Sequence, residues 1–92
     1  MHLERLLYQV SPPEFVDDFL IADSQVWNPW LQRQPGYITK SHRLLPNGLV
    51  ELLIQWKSKK DRETAAASPD IRTLEAYMRQ RSPGVYRLIS SL

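Results

Sequence analysis

The chain opens on Leu3 to Val10, a short run rich in apolar residues that Ser11-Pro12-Pro13 cuts off, and this predicts a first strand. Ser11 with Glu14 three residues on has the pattern of a capping box, with the prolines tolerated in a first helical turn. Beyond it Phe15, Phe19, Val26 and Trp30 recur on one stripe, with Val16, Leu20, Trp27 and Leu31 alongside. That spacing is the wide apolar face of a helix packed on a core. Pro35-Gly36 cannot continue it, so the helix is expected to end near Arg33.

Tyr37 to Leu45 and Leu49 to Trp56 flank Pro46-Asn47-Gly48, a strong hairpin signal. Two registers compete. A type I turn over Pro46-Asn47 with Gly48 left-handed sets Arg43 opposite Glu51 and Ile38 opposite Trp56, whereas a two-residue Asn47-Gly48 loop opposes Leu44 to Glu51. An opposite-charge pair across a ladder contributes about 0.2–1 kcal/mol, which favours the first register.

Ser58 with Asp61 forms a second capping-box pattern and opens a short helical stretch through Ala67. Ser68-Pro69 starts another helix with Ile71, Leu74, Tyr77 and Met78 on its inner side. Pro83-Gly84 ends it, and Val85 to Ser90 reads as the last strand. The order is βαββαβ over residues 1–92, read as one domain. Right-handed crossovers fold that order into a ferredoxin-like α+β unit, an antiparallel sheet with the helices on one face.

The other face of that sheet is not polar enough for water. Val50, Leu52, Ile54 and Trp56 alternate toward the helices, which leaves Leu49, Glu51, Leu53 and Gln55 outward, joined by Leu3, Arg5, Leu7 and Gln9 of the first strand. Covering Leu3, Leu7, Leu49 and Leu53 gains about 25 cal/mol per Å² of apolar surface removed from water. A second copy of the chain supplies that cover, so a homodimer through this face is expected. Arg5, Arg43 and Glu51 lie on the same face, either as an ion cluster between subunits or as a solvated group worth about 0–1 kcal/mol.

Composition narrows the function classes. Hydrophobic residues make up 42% and charged residues 24%, a globular balance, and twelve Lys and Arg against ten Asp and Glu leave a net charge of only +2. There is no cysteine, which removes disulfides, thiolate metal sites and Cys nucleophiles. Glu4 and Arg5 interrupt the opening segment, so no signal peptide is read there, and no run approaches the roughly 20 apolar residues of a membrane span. A cytoplasmic protein without membrane contact is expected. Lys57, Lys59, Lys60 and Arg62 invite a nucleic-acid reading, but Asp61 and Glu63 break the run and Leu49 to Trp56 lacks the glycine-plus-aromatic pattern of RNA-recognition sheets. No nucleic acid is expected, and the cluster reads as a solvated helix start. Three glycines cannot build a phosphate loop.

The segment from Asp23 to Lys40, with Asp23, Trp27, Pro29, Leu31, Pro35, Gly36 and Lys40 as the matching positions, resembles the helix-to-strand signature of a family of small uncharacterised proteins, chiefly cyanobacterial. That family belongs to the dimeric α+β barrel superfamily, which also holds antibiotic-biosynthesis-type monooxygenases. Ile54 to Ser58 resembles its third strand, while Asp61 to Ala67 lacks the aromatic residue expected there. The resemblance implies a face-to-face sheet dimer and a pocket between sheet and helices; it implies no activity, because the fold hosts many.

Four residues are candidates for that pocket. Asp23 and Trp27 share one side of the first helix: the carboxylate is either a pocket group, bonded to an indole N–H or poised as a base, or a boundary residue with a structural partner. His42 shares a side with Ile38, Leu44 and, in the first register, Leu52, and is either a pocket proton carrier or metal ligand or a satisfied edge-strand residue. Trp56 points toward the helices, where Trp27, Trp30 and Trp56 form either an aromatic pocket or plain core. Two isolated histidines make no metal site, and the stretch Pro69 to Arg81 has no His for haem, only Tyr77. No metal and no cofactor are therefore expected. The readings that remain are a dimeric module binding a small hydrophobic or aromatic ligand and, alternatively, a cofactor-independent monooxygenase-like or isomerase-like enzyme.

Overall fold

The computed structural model describes all residues from 1 to 92. Strand β1 spans His2–Ser11 and is followed by a 3-10 turn at Pro13–Phe15 and helix α1 over Val16–Gln32. The hairpin strands are β2 (Tyr37–Leu44) and β3 (Leu49–Trp56); helices α2 (Lys59–Ala66) and α3 (Asp70–Arg81) then lead to β4 (Val85–Ser91). The four strands form one antiparallel sheet in the order β2-β3-β1-β4, so β1 lies inside the sheet although it comes first in the chain. The architecture is ferredoxin-like α+β. No helix is long and apolar enough to cross a membrane.

Period-two alternation sorts the sheet into two faces. Along β3, Val50, Leu52, Ile54 and Trp56 are buried and Leu49, Glu51, Leu53 and Gln55 only half-buried. The helices cover the inner face with two apolar clusters. One joins Val10, Phe19, Val26, Val50, Leu52, Met78 and Tyr86; the other joins Trp30, Leu31, Ile54, Trp56 and Ala65. Leu6, Trp27 and Leu74 pack against both. On the outer face Leu3 is 44% exposed and Leu7, Leu49 and Leu53 are half-buried, beside Glu51, which pairs with Arg43 at 3.1 Å and Arg5 at 4.0 Å.

Local chemistry departs from the sequence reading at four points. Ser11 does not cap α1: it stays in the sheet opposite Val85, and the turn begins at Pro12 without a side-chain cap. Arg43 opposes Glu51 as expected, but Trp56 faces Tyr37, because a bulge between Tyr37 and Thr39 makes Ile38 the extra residue. The hairpin turn is not type I, since Asn47 is also left-handed, at φ 63°, ahead of Gly48 at φ 81°. A Cβ on Gly48 would stand 2.5 Å from the carbonyl oxygen of Val10, so this position needs glycine for space as well as for conformation. Tyr77, expected inside, is 47% exposed on α3 with the Arg81 guanidinium 5.5 Å from its ring centroid.

The second capping box forms as the sequence suggests. Ser58 Oγ accepts a hydrogen bond from the Asp61 N–H at 3.1 Å and opens α2. Asp61 also packs against Gly36, where a Cβ would collide with its carboxylate, so the start of α2 sits directly on the chain that enters β2.

Candidate functional site

Where the two apolar clusters fail to merge, a cavity of about 220 Å³ lies between sheet and helices. Its floor is the inner face of the sheet: Glu4, Leu6 and Tyr8 from β1, Leu52, Ile54 and Trp56 from β3, Lys40 from β2 and Leu88 from β4. Its roof comes from α1 through Asp23, Trp27, Trp30 and Leu31, from α2 through Arg62, Ala65 and Ala66, and from α3 through Ile71 and Glu75. The i, i+4 spacing of Asp23, Trp27 and Leu31 sets these three on one line of α1. Trp27 meets Trp30 edge-on at 5.9 Å between ring centroids, and Trp56 meets Tyr37 likewise at 6.1 Å.

One buried and one half-buried ion pair interrupt the apolar wall. Lys40 Nζ donates to Asp23 Oδ2 at 2.5 Å and to Asn28 Oδ1 at 2.8 Å, and both members of the ion pair keep only 9% of their side-chain surface. Glu4 accepts a hydrogen bond from the Trp56 indole at 3.1 Å and holds Arg62 Nε at 3.3 Å with its other oxygen, an ion pair outside hydrogen-bond geometry. The phenol of Tyr8 is pushed above the ordinary tyrosine value, chiefly by burial and next by the charge of Asp23, so it stays protonated. Trp30 is 5% exposed, and its indole N–H is buried without a partner.

Of the four residues expected at the pocket, Asp23, Trp27 and Trp56 line the cavity and His42 does not. His42 opposes Leu52 and shares its face, but β2 is the edge of the sheet and the imidazole is exposed there. The basic residue that does reach under α1 is Lys40, two positions earlier on the same face. Asp23 is bonded to this ammonium, not to an indole. Arg62, read as part of a solvated helix start, turns inward to Glu4, while Lys57, Lys59 and Lys60 are exposed. Glu4 itself was legible: with Leu3, Arg5 and Leu7 outward, the parity of β1 turns Glu4 toward the helices.

No protein-family model and no curated protein matches the sequence. Solved structures do. A monooxygenase from the gene ActVA-Orf6 of Streptomyces coelicolor, in complex with the ligand nanaomycin D, superposes with a TM-score of 0.73 at 15% identity, over 98% of this chain and 83% of that one. A dimeric ferredoxin-like protein from an uncultured marine organism gives 0.71 at 14%, over 98% and 89%. SnoaB, a cofactor-independent oxygenase from Streptomyces nogalater, gives 0.62 at 14%, over 96% and 89%. The fold is that of the antibiotic-biosynthesis-monooxygenase type. At these identities the monooxygenase-type likeness is one of fold, which is used for many chemistries.

Proposed function

We propose that the protein is a homodimeric module that binds a small hydrophobic or aromatic ligand between sheet and helices, at Asp23, Trp27 and Trp56. The observation that carries this reading is the cavity itself, whose walls are mostly apolar and aromatic with a few polar groups converging on it. The dimer rests on the outer leucines, Leu3, Leu7, Leu49 and Leu53, and on the description of one fold relative as dimeric.

The fold relatives described as a monooxygenase and as a cofactor-independent oxygenase supply a second reading, that of an enzyme working without a cofactor. Such chemistry on a bound organic molecule calls for a group free to take a proton. Of the three carboxylates that line the cavity, Asp23 is engaged by Lys40 and Glu4 by Trp56 and Arg62, which leaves Glu75, exposed to water on α3. Binding is therefore the better-supported role.

Intrinsic fluorescence tests it. Small aromatic compounds titrated into the protein should quench tryptophan emission saturably, and Trp27→Ala should remove the saturable component while light scattering still reports a dimer. Quenching that stays linear with concentration in the unmodified protein would count against a site.

A further inference from the structure

From Glu75, a carboxylate at the cavity mouth that no cation of the protein answers, we infer that the ligand is a small amine, its ring system seated inside and its protonated nitrogen held at Glu75. The inference rests on the ligand-site reading above and names the ligand class for that same site.

The charges of the wall do not balance. Asp23 is answered by Lys40 and Glu4 by Arg62. Glu75 makes no ion pair, although Arg72 and Arg79 lie three and four positions from it on α3. The Arg79 guanidinium instead lies over the Tyr86 ring, 4.7 Å from its centroid. The cavity is thus lined by three carboxylates against two cationic groups. An anion is repelled by that excess, a neutral molecule leaves it as it was, and a monocation balances it.

Glu75 is also placed to act on an occupant. Of the lining residues only Ala66, Glu75 and Leu88 are exposed, one each from α2, α3 and β4, and together they mark the mouth. Leu88 opposes Tyr8 in the β1–β4 ladder, so Tyr8 lies just inside that rim. After burial and the charge of Asp23, the charge of Glu75 is the next cause that pushes the Tyr8 phenol up. Its field therefore reaches into the cavity and not only outward into water.

An ammonium carried to the floor of the cavity would lose its water without return, because Asp23 and Glu4 already have partners. At the rim the same group keeps part of its hydration while the ring behind it packs on Leu6, Trp27 and Ile54. A cavity of about 220 Å³ limits that body to about two fused rings. An ion pair this exposed is weak, so the apolar body supplies the affinity and Glu75 the choice between head groups.

Three probes share one bicyclic body: 2-aminotetralin, a cation at neutral pH; 2-tetralol, which is uncharged; and tetralin-2-carboxylate, an anion. Calorimetric titration of the unmodified protein at low salt should rank the amine above the carboxylate. Glu75→Gln should weaken the amine about two- to fivefold, the range of an exposed ion pair, and leave the alcohol unchanged. Glu75→Lys should weaken the amine further and tighten the carboxylate. Both substitutions fall on an exposed helical position that the fold tolerates, which the far-UV spectrum checks. An amine affinity that Glu75→Gln leaves intact, equal weakening of amine and alcohol, or a carboxylate that binds the unmodified protein more tightly than the amine would each overturn the inference while leaving the site in place. Binding of the alcohol without the amine would do the same. Binding of none of the three would overturn the site reading and this inference with it.

Discussion

Lys40 on the edge strand β2 and Asp23 on α1, seventeen positions apart, form an ion pair in which each side chain keeps only 9% of its surface. Lys40 opposes Ile54 in the β2–β3 ladder, so the pair ties the roof of the cavity to the edge of its floor. A buried pair of this kind gains little over a well-packed apolar pair, but losing one member is costly because the other charge stays behind. Lys40→Met should therefore destabilise the fold by about 3–5 kcal/mol, and adding Asp23→Leu to it should restore much of the loss. Denaturant midpoints for both single variants and the double one measure this; additive losses would deny the coupling.

Glu4 makes the corresponding tie to α2. It accepts from Trp56 and pairs with Arg62 of α2, an eight-residue helix whose one buried side chain is Ala65. Helices that short do not hold themselves in water, so α2 depends on its cap and on this contact. Glu4→Ala should cost about 1–3 kcal/mol, since it strands a buried indole N–H. Arg62→Met should cost less globally yet speed amide hydrogen exchange across Lys59–Ala66 relative to α1. Unchanged exchange there would mean that Arg62 does not anchor the helix.

The outer sheet face gives the oligomer prediction. The protein should scatter light as a dimer at low micromolar concentration, and Leu53→Glu, beside Glu51, should shift it to monomer with the far-UV spectrum kept. Charge placed in the middle of an apolar contact is not tolerated without a partner. A dimer that survives both Leu53→Glu and Leu7→Glu would have to be built on another surface.

Alkaline pH should unfold the protein through its buried phenols. Tyr8, Tyr86 and Tyr37 all have values raised above 10.0 in the fold, burial being the first cause in each; Arg79 partly opposes the rise at Tyr86. Between the unfolded and the folded value the unfolded chain has released protons that the folded chain keeps, so stability falls as pH climbs. The contribution is fully present below about pH 10 and is lost above it, toward the raised folded values. Denaturant curves at about pH 9 and 11 should separate for the unmodified protein and lie closer together for Tyr8→Phe. The opposite order would mean that Tyr8 ionises normally.

What the sequence disclosed and what it hid divide along the same physical line. Periodicity exposed Trp27 and Trp56, because an apolar stripe on a helix and an alternating strand each name the side that faces inward. The opposite charges of Arg43 and Glu51 pointed to the hairpin register near the turn, which then slips by one residue at the Tyr37–Thr39 bulge. His42 was misplaced because parity gives the face of a strand and not how far the covering helices reach over its edge. Ser11 failed as a cap because the pattern of residues 11–14 carries no word about a strand seventy-four positions later, with which Ser11 pairs through Val85. Arg62 was hidden among Lys57, Lys59 and Lys60, and only the position of Glu4 across the sheet distinguishes it from them.

The interior position of β1 has a consequence for how the chain is made. Arg5 pairs with Leu53 on one side and exchanges backbone hydrogen bonds with Leu92, both at 2.9 Å, on the other. As synthesis proceeds toward the C-terminus, β1 emerges with both edges bare, and the edge that faces β4 stays open until Val85–Ser91 has been made. Most of the sheet's pairing is therefore between distant positions, which predicts slow folding for so small a protein. During that interval β1, with Leu3, Leu6, Leu7, Tyr8 and Val10 along it, is an unpaired apolar strand, the segment most in need of a chaperone and the first place to look when the protein aggregates on expression.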